Sequence, residues 1–295
     1  MEKDYFSLFN FGGLPAQYSV YKNSKVVILP VPYEGTTSYK AGTREGPNAI
    51  INASRNLELF DLELRKEIYK IGIHTLPEIT ILKDAERMTQ RVCAIAKELL
   101  QDDKFIVMLG GEHSLTVGMM YALIEKYPNL SVLQFDAHAD LRDKYQGTKY
   151  SHACAMRRIS ELCPFIQIGI RSMSRDEASF LQAKNIEPIY ADNFSLDRIE
   201  EVTSNLSQDV YITIDLDVLD PSIMPAVGSP EPGGLYWYDF LSLLRQVIEK
   251  KNIVSFDVVE LCPISNNIAP DFLAAKLIYK LIGYIFNEEL KSKKE

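Results

Sequence analysis

The sequence predicts an α/β fold of three layers, in which helices cover both faces of a central, mostly parallel sheet of about eight strands. Short apolar runs alternate with helical patterns along the chain, and each run is continuously apolar, such as Val-Val-Ile-Leu at 26–29. Alternating β and α units build parallel sheets, and strands buried on both faces lose the polar alternation of half-exposed strands. The 46% hydrophobic fraction is enough for a sizeable core.

Eight apolar runs have the length and composition of strands. A chain of 295 residues without repeats or a low-complexity linker has room for one large domain. We therefore expect a single domain over 1–295, with an N-terminal extension at 1–24 and a C-terminal helix and solvated tail at about 270–295. The predicted strands are Val26–Val31, Tyr69–His74, Phe105–Leu109, Leu130–Phe135, Phe165–Ile170, Ile186–Tyr190, Val210–Ile214 and Ile253–Val259.

Three stretches between these strands carry apolar residues at helical spacing. Pro47 is placed to begin a further helix, and Ser114 to cap the helix that follows it. The stretch Pro221–Gly234, with four prolines and three glycines, is too long for an ordinary βα loop and predicts a shaped site wall. The stripes are Met88, Val92, Ile95 and Leu99; Val117, Met120, Tyr121 and Ile124; and Trp237, Phe240, Leu241 and Leu244.

Composition excludes several classes of protein. The net charge is −8, and the one basic tract is the tail with Lys291, Lys293 and Lys294, which argues against a nucleic-acid partner. Four cysteines without C-x-x-C spacing indicate reduced thiols in the cytoplasm. The first residues carry acids and no signal peptide, and no apolar run is long enough for a membrane span.

Polar clusters follow the predicted strands, where parallel α/β sheets bind ligands. Asp136, His138 and Asp140 come directly after Leu130–Phe135, and their i, i+2, i+4 spacing lets them point to one side of an extended chain. Asp215 and Asp217 repeat this spacing after Val210–Ile214. His113 and Glu260 follow two further strands. Unpaired polar groups at the end of a core strand are costly to desolvate, which predicts a bound metal.

Six predicted metal ligands emerge from these clusters. Four carboxylates and two imidazoles, with no thiolate, favour a hard divalent ion such as Mn²⁺ over structural Zn²⁺. Six side chains are too many for one ion that keeps an open position, but they suit two ions bridged by a carboxylate and an acidified solvent molecule. His74 has no acidic partner nearby and is interpreted as structural. The ligands are His113, Asp136, His138, Asp140, Asp215 and Asp217.

Five motifs, in this order, resemble the ureohydrolase (arginase/agmatinase) family. They are Gly-Gly-Glu-His-Ser at 110–114, Asp-Ala-His-Ala-Asp at 136–140, Ser-His at 151–152, Asp-Leu-Asp-Val-Leu-Asp-Pro at 215–221 and Ser-Phe-Asp-Val-Val-Glu at 255–260. The resemblance, which covers the chain from the loop at 42–47 to Glu260, implies an arginase-like three-layer fold, two Mn²⁺ ions per subunit and a homo-oligomer, usually a trimer or a hexamer.

The resemblance also implies roles for individual residues. Asp136 and Asp215 would bridge the ions, one of which would be completed by His113 and Asp140 and the other by His138 and Asp217. His152 matches the family's proton-shuttling histidine. Glu260 matches the carboxylate that orients the substrate guanidinium, through charge-assisted hydrogen bonds. Chemically, Asp140 is placed to accept the proton of the attacking hydroxide and to pass it to the departing amine.

The substrate is predicted to be agmatine, cleaved to urea and putrescine. Arg142 stands where arginases commonly have an asparagine, and the Glu-Pro pair at 231–232 is similar to agmatinases, where Glu231 would face the far ammonium. The stretch at 151–158 also resembles relatives that cleave N1-aminopropylagmatine to urea and spermidine, so that substrate stays open, as do guanidinobutyrate and arginine. Met224 and Val227 depart from the commoner wall pattern and are expected to reshape the pocket.

Three other classes of protein share some of these features. Asp-Leu-Asp-Val resembles the nucleophile motif of haloacid-dehalogenase-type phosphatases, but that motif normally opens the first strand of its domain. Zinc deacetylases share the architecture, yet they need only one ion and fewer ligands. A metal-stabilised polyamine sensor or scaffold would have no need of His152 and Glu260. The ureohydrolase interpretation explains more of the residues than any of these.

Overall fold

The computed structural model describes residues 7–292, and its centre is a sheet of eight parallel strands. The strands are β1 (Val26–Val31), β2 (Phe60–Asp61), β3 (Lys66–Glu67), β4 (Ile73–Thr75), β5 (Phe105–Gly110), β6 (Ser131–Phe135), β7 (Phe165–Ile170), β8 (Ile189–Tyr190), β9 (Asp209–Asp215) and β10 (Asn252–Val259). Their order in the sheet is β4-β1-β5-β10-β9-β6-β7-β8, and β2 and β3 form a separate antiparallel pair.

Helices cover both faces of this sheet. They are α1 (Ala16–Ser19), α2 (Gly46–Ser54), α3 (Ala85–Gln101), α4 (Thr116–Lys126), α5 (Ala155–Ile159), α6 (Arg175–Lys184), α7 (Ile199–Asn205), α8 (Trp237–Lys250), α9 (Ala269–Ile285) and α10 (Asn287–Ser292). Successive strand residues face opposite layers: Val26 and Ile28 belong to the same core cluster as residues of α2, α7, α8 and α9, whereas Val27 and Leu29 belong to the cluster that includes residues of α3 to α6.

The three-layer, mostly parallel fold predicted from the sequence is confirmed. β1 and β7 have the predicted bounds, the three apolar stripes lie in α3, α4 and α8, and Pro47 stands in the first turn of α2. The predicted solvated tail, with Lys291, Lys293 and Lys294, lies outside the residues whose side chains are described. None of the helices between residues 7 and 292 has the length and apolar character of a membrane span.

Three local predictions were wrong. The predicted strand Tyr69–His74 is replaced by a 3₁₀ turn at Ile68–Ile71 and the short strand β4, because Gly72, at φ +86°, interrupts the extended chain. The strand predicted at Ile186–Tyr190 shrinks to the edge strand β8. Ser114 does not cap α4: it lies in a 3₁₀ turn, and its hydroxyl donates to Glu112.

The topology brings the polar strand ends together. β5, β10, β9 and β6 are neighbours at the centre of the sheet and run parallel, so their carboxyl ends meet at one edge. Close packing of loops marks this edge: a Cβ on Gly111, just after β5, would stand 1.9 Å from the Tyr33 carbonyl oxygen. Only glycine fits there.

Candidate active site

All six predicted ligands lie at the carboxyl ends of three of these central strands. His113 lies in the 3₁₀ turn after β5, and Asp136, His138 and Asp140 follow β6. Asp215 ends β9, and Asp217 lies in the turn that comes next. Five of the six are buried, and His138 is partly exposed. Two groups have the spacing of metal ligands: His113, Asp136 and Asp140, and Asp136, His138 and Asp217.

The first group surrounds the Nδ1 atom of His113. This nitrogen lies 3.0 Å from Asp136 Oδ2, 3.2 Å from Asp140 Oδ2 and 3.5 Å from Asp215 Oδ2. Burial opposes a charged imidazole, but the carboxylates of Asp136, Asp140 and Asp215 together raise the pKa of His113 well above its usual range. A field that holds a proton this strongly also attracts a metal cation.

The other ring nitrogen fixes which atom of His113 faces these oxygens. His113 Nε2 lies 2.8 Å from Thr213 Oγ1, which in turn donates to Asp257 Oδ1 at 2.6 Å. Since the threonine proton goes to Asp257, the threonine oxygen accepts from His113 Nε2–H. In the neutral ring Nδ1 is therefore unprotonated and carries a lone pair. No hydrogen-bond donor among the described residues reaches this nitrogen. A lone pair facing three carboxylate oxygens fits a metal cation.

The second group lies around His138. Its Nδ1 is 2.8 Å from Asp217 Oδ2 and 3.7 Å from Asp136 Oδ1. Burial opposes the charged ring, but the Asp217 carboxylate overcomes this and raises the pKa of His138 to about 11. Burial likewise opposes ionisation of Asp217, yet the charge of His138 lowers the pKa of that carboxyl to about 2. The two groups share Asp136.

Crowding of buried carboxylates destabilises their charges. Burial, followed by repulsion from Asp217 and Asp140, raises the pKa of Asp136 to about 8. Burial and neighbouring carboxylates also raise the pKa values of Asp215 and Glu260 well above the usual range. A divalent cation would offset both the cost of burying these charges and the repulsion between them. The donor set therefore fits a metal site.

The backbone is strained at two of the candidate residues. Asp140 has φ +53° and Glu260 has φ +66°, in the left-handed region that side chains other than glycine seldom adopt. Aspartate tolerates this region better than glutamate does. Strain of this kind persists where the surrounding structure holds it, and it is concentrated at functional sites.

A cavity of about 240 Å³ opens above the cluster. Asp140, Asp215, Asp217, His152 and Glu260 line it. Glu260 Oε1 accepts the backbone N–H of His113 at 2.8 Å, which joins the end of β10 to the turn after β5. His152 enters from the 3₁₀ turn His152–Cys154, so the structure brings His152 and Glu260 to the cavity that four of the six predicted ligands line: His138, Asp140, Asp215 and Asp217.

The residues predicted to shape the substrate end have different positions. Arg142 lines the cavity, with its guanidinium 5.0 Å from the centre of the Tyr145 ring. Met224 and Val227 are buried in the core and do not line the cavity, whereas Gly228 and Ser229 of the same stretch do, so an effect of Met224 and Val227 on the pocket would act through the wall. Glu231 is partly exposed, and its Oε1 lies 3.8 Å from His138 Nε2.

Several polar residues behind the site were missed by the sequence analysis. Gln134 Nε2 donates to Asp136 Oδ2 at 2.7 Å, and Thr213 holds His113. The Arg171 guanidinium donates to the carbonyl oxygens of Asp217, Glu231 and Pro232. Gln134, Thr213 and Asp257 are polar side chains inside otherwise apolar strands, and this was the available signal, because buried polar groups need partners.

Comparison with known proteins agrees with the fold and the motifs. The profile described as "Arginase family" matches residues 24–283. A protein of Synechocystis sp. named N(1)-aminopropylagmatine ureohydrolase is 39% identical over 90% of each chain. A protein of Pyrococcus horikoshii named agmatinase is 35% identical, over 89% of this chain and 92% of that one. The crystal structure of agmatine ureohydrolase of Thermoplasma volcanium superposes with a TM-score of 0.88, at 33% identity over 98% of each chain.

The fold, the motifs and these similarities define the class of protein. The chain is an enzyme, a hydrolase that acts on guanidino compounds. It belongs to the arginase family.

Proposed function

We propose that this chain hydrolyses the guanidinium group of agmatine, with Mn²⁺ as cofactor, to give urea and putrescine. The observation that carries the proposal is the convergence of four carboxylates and two imidazoles under one cavity, at the ends of neighbouring central strands. Relatives named agmatinase, at 35% and 32% identity, support it.

The residues would hold two metal ions. One ion would be held by His113 Nδ1 and Asp140, and the other by His138 Nδ1 and Asp217. Both ions would share Asp136 and Asp215. Oxygen and imidazole donors without a thiolate suit Mn²⁺ better than structural Zn²⁺. Asp136 supports the sharing, because its two oxygens face different histidines. Bound there, the ions would supply Lewis acidity that lowers the pKa of a water molecule towards neutral.

Three residues of the chain would carry the substrate and the protons. Glu260 would fix the guanidinium against the cluster through charge-assisted hydrogen bonds, leaving its central carbon open to attack. Asp140, which lines the cavity, would take the proton of the attacking water and give it to the departing amine. His152 would exchange protons between this site and bulk water.

A second candidate substrate is N1-aminopropylagmatine, which would give urea and spermidine. Relatives with that name, from Synechocystis sp. and Thermus thermophilus, are 39% identical, compared with 35% for the Pyrococcus agmatinase. Both substrates carry the same guanidinium and differ at the far end. Glu231 would meet the far ammonium there, although its position 3.8 Å from His138 Nε2 also suits a carboxylate that orients this histidine.

Urea release from a panel of guanidines tests this proposal. We expect agmatine or aminopropylagmatine to exceed arginine in kcat/KM by about 100-fold or more, a difference of about 2.7 kcal/mol, since Arg142 replaces the arginase clamp for the amino-acid group. Guanidinobutyrate, which carries a carboxylate in place of the ammonium, is the matched control. A preference for arginine would refute the substrate class, and no urea from any member would refute the activity.

We also propose that the chain forms one domain over 1–295 and works as a cytoplasmic homo-oligomer of three or six subunits. All four cysteines are free, which supports a reducing compartment. Large apolar side chains on the surface support subunit contacts: Leu62 is 84% exposed, Tyr238 82% and Ile268 78%.

A further inference from the structure

A buried carboxylate that the proposed reaction does not use lies one residue before His113. Glu112 is fully buried. Its Oε2 accepts the backbone N–H groups of Gly35 at 2.7 Å and Thr36 at 2.6 Å. Its Oε1 accepts the hydroxyls of Thr36 at 2.7 Å and Ser114 at 2.5 Å. Four donors occupy both oxygens, so this carboxylate acts only as an acceptor.

The Thr36 hydroxyl connects Glu112 to His152. Its oxygen lies 3.1 Å from His152 Nδ1 and also accepts the backbone N–H of His152 at 3.0 Å. Because the single hydroxyl proton is donated to Glu112, the oxygen has only acceptor capacity left for the ring. The hydrogen bond to the ring therefore runs from His152 Nδ1–H to Thr36.

The consequence is a defined tautomer of His152. With the proton on Nδ1, the neutral ring has its lone pair on Nε2, the nitrogen directed away from Thr36. Tyr145 packs edge-on against the ring, with centroids 5.9 Å apart, and limits its rotation. His152 lines the cavity above the metal cluster, so Nε2 is the atom available to accept a proton there.

We propose that Glu112 and Thr36 are positioning residues that keep the proton on His152 Nδ1 and so present Nε2 as the atom that exchanges protons between the site and bulk water. The proposal rests on the proposed function, because it specifies how His152 would exchange protons. Nε2 takes a proton from the site, the Nδ1–H bond to Thr36 is retained, and the same Nε2 proton then leaves for bulk water.

The direct test is the tautomer of His152. The chain has only four histidines, so ¹⁵N-histidine solid-state NMR of the full-length protein, loaded with diamagnetic Mg²⁺, is readily assigned with His152→Asn. We expect a protonated Nδ1 and an unprotonated Nε2 in the wild type. The reverse tautomer in the wild type would overturn the proposal without any variant being needed.

Variants of Thr36 separate positioning from simple structural support. Thr36→Val removes the hydroxyl while keeping the side-chain shape, and Thr36→Ser retains the hydroxyl as the matched control. We expect Thr36→Val to mix the tautomers and to lower kcat about 100-fold, the lower end of what general acid–base catalysis contributes, with KM and metal content unchanged. Thr36→Ser should keep the tautomer and kcat within about threefold. An unchanged tautomer of His152 in Thr36→Val would contradict the proposed positioning role of Thr36.

Ser151 provides the discriminating control. Its hydroxyl lies 3.3 Å from His152 Nδ1 and would donate to that nitrogen if the opposite tautomer were present. Ser151→Ala is expected to leave the proton on Nδ1, whereas a switch of tautomer in this variant would assign the role to Ser151 and refute that of Thr36. The spectra do not depend on turnover. Failure of the proposed positioning of His152 is therefore distinguishable from failure of the proposed hydrolysis.

Discussion

Asp136 lies between the two histidines of the cluster. Its Oδ2 is 3.0 Å from His113 Nδ1, and its Oδ1 is 3.7 Å from His138 Nδ1. Burial and the nearby carboxylates raise its pKa to about 8, and Asp217 raises the pKa of His138 to about 11 against the effect of burial. Both groups therefore hold a proton more tightly in the folded chain than in the unfolded chain.

This difference predicts how the stability of the metal-free protein depends on pH. A raised folded-state pKa gives stability that is complete below the unfolded pKa and is lost as the pH rises through the folded value. Between about pH 5 and pH 8, Asp136 and then His138 act in this direction. Asp217, with a pKa of about 2, is ionised in both states and adds no slope. Chelator-treated protein should therefore lose several degrees of Tm across this range.

Added Mn²⁺ should raise Tm and flatten this dependence, because a cation replaces the proton as the partner of the carboxylates. Thermal unfolding at several pH values, with and without Mn²⁺, is the measurement. Asp136→Asn in chelator is the matched control and should have a smaller slope. A Tm of the metal-free protein that rises from about pH 5 to pH 8 would contradict this account.

The candidate ligands could be predicted from the sequence because each follows an apolar strand at a fixed spacing. Their supporting contacts could not. Gln134 and Asp136 lie at the end of the same strand. Thr213, in contrast, contacts His113 across 100 residues of sequence, and Asp257 contacts Thr213 across 44. Such pairs depend on strand order and register, which only the folded sheet defines.

Among the elements around the site, β7 contributes to holding the wall through the side chain that follows it. Arg171 follows β7, and its guanidinium donates to the carbonyl oxygens of Asp217 at 2.6 Å, Glu231 at 2.8 Å and Pro232 at 3.0 Å. It thereby ties the wall, at Glu231 and Pro232, to the turn that carries Asp217. A planar guanidinium can bond several carbonyls at once, whereas a lysine ammonium is a compact charge.

Arg171→Lys should therefore loosen the wall while leaving the candidate metal ligands in place. We expect KM for the preferred guanidine to rise about tenfold, equivalent to about 1.4 kcal/mol, with a smaller change in kcat and unchanged metal content. The matched control is Arg175→Lys, at an exposed position four residues further on, which should behave as the wild type. Wild-type KM in Arg171→Lys would refute a role of this side chain in holding the wall.

Helices whose apolar residues recur at helical spacing could be predicted from the sequence, whereas α6, which lacks this pattern, could not. α6 buries only Glu177 and Leu181, so it has no apolar stripe, and the sequence analysis missed it. Its capping box, in which Ser174 and Glu177 bond reciprocally, is a local signal that was available. Glu177 also accepts the N–H of Leu141, which fixes the chain next to Asp140. A helix can therefore matter to the site through one contact.

At the scale of the whole molecule, apolar residues remain on the surface near β2 and α8. Leu62, Tyr238 and Trp237 line one groove, and Trp237, Ile268 and Phe272 line the next, so the two grooves are continuous. Large exposed apolar patches are typical of subunit interfaces. This surface supports the proposed homo-oligomer.

Light scattering coupled to size exclusion measures the mass directly. We expect three or six times the 33.5 kDa of one chain. Leu62→Lys should shift the distribution towards smaller species, because a charge in an apolar interface is costly to desolvate. Asp239→Lys, which places a lysine at an exposed position on α8, is the control and should keep the wild-type mass. A wild-type mass of one chain at working concentration would contradict the oligomer.

The metal content of the wild type and of Asp217→Ala, measured together with urea release, shows whether the cluster binds two ions and needs both for hydrolysis. We expect two Mn²⁺ ions per chain in the wild type, and the loss of one ion and nearly all turnover in Asp217→Ala, because Asp217 completes the His138 group. Asp239→Ala should behave as the wild type. Full turnover of Asp217→Ala with one bound ion, or of the wild type with none, would refute hydrolysis by a two-metal site.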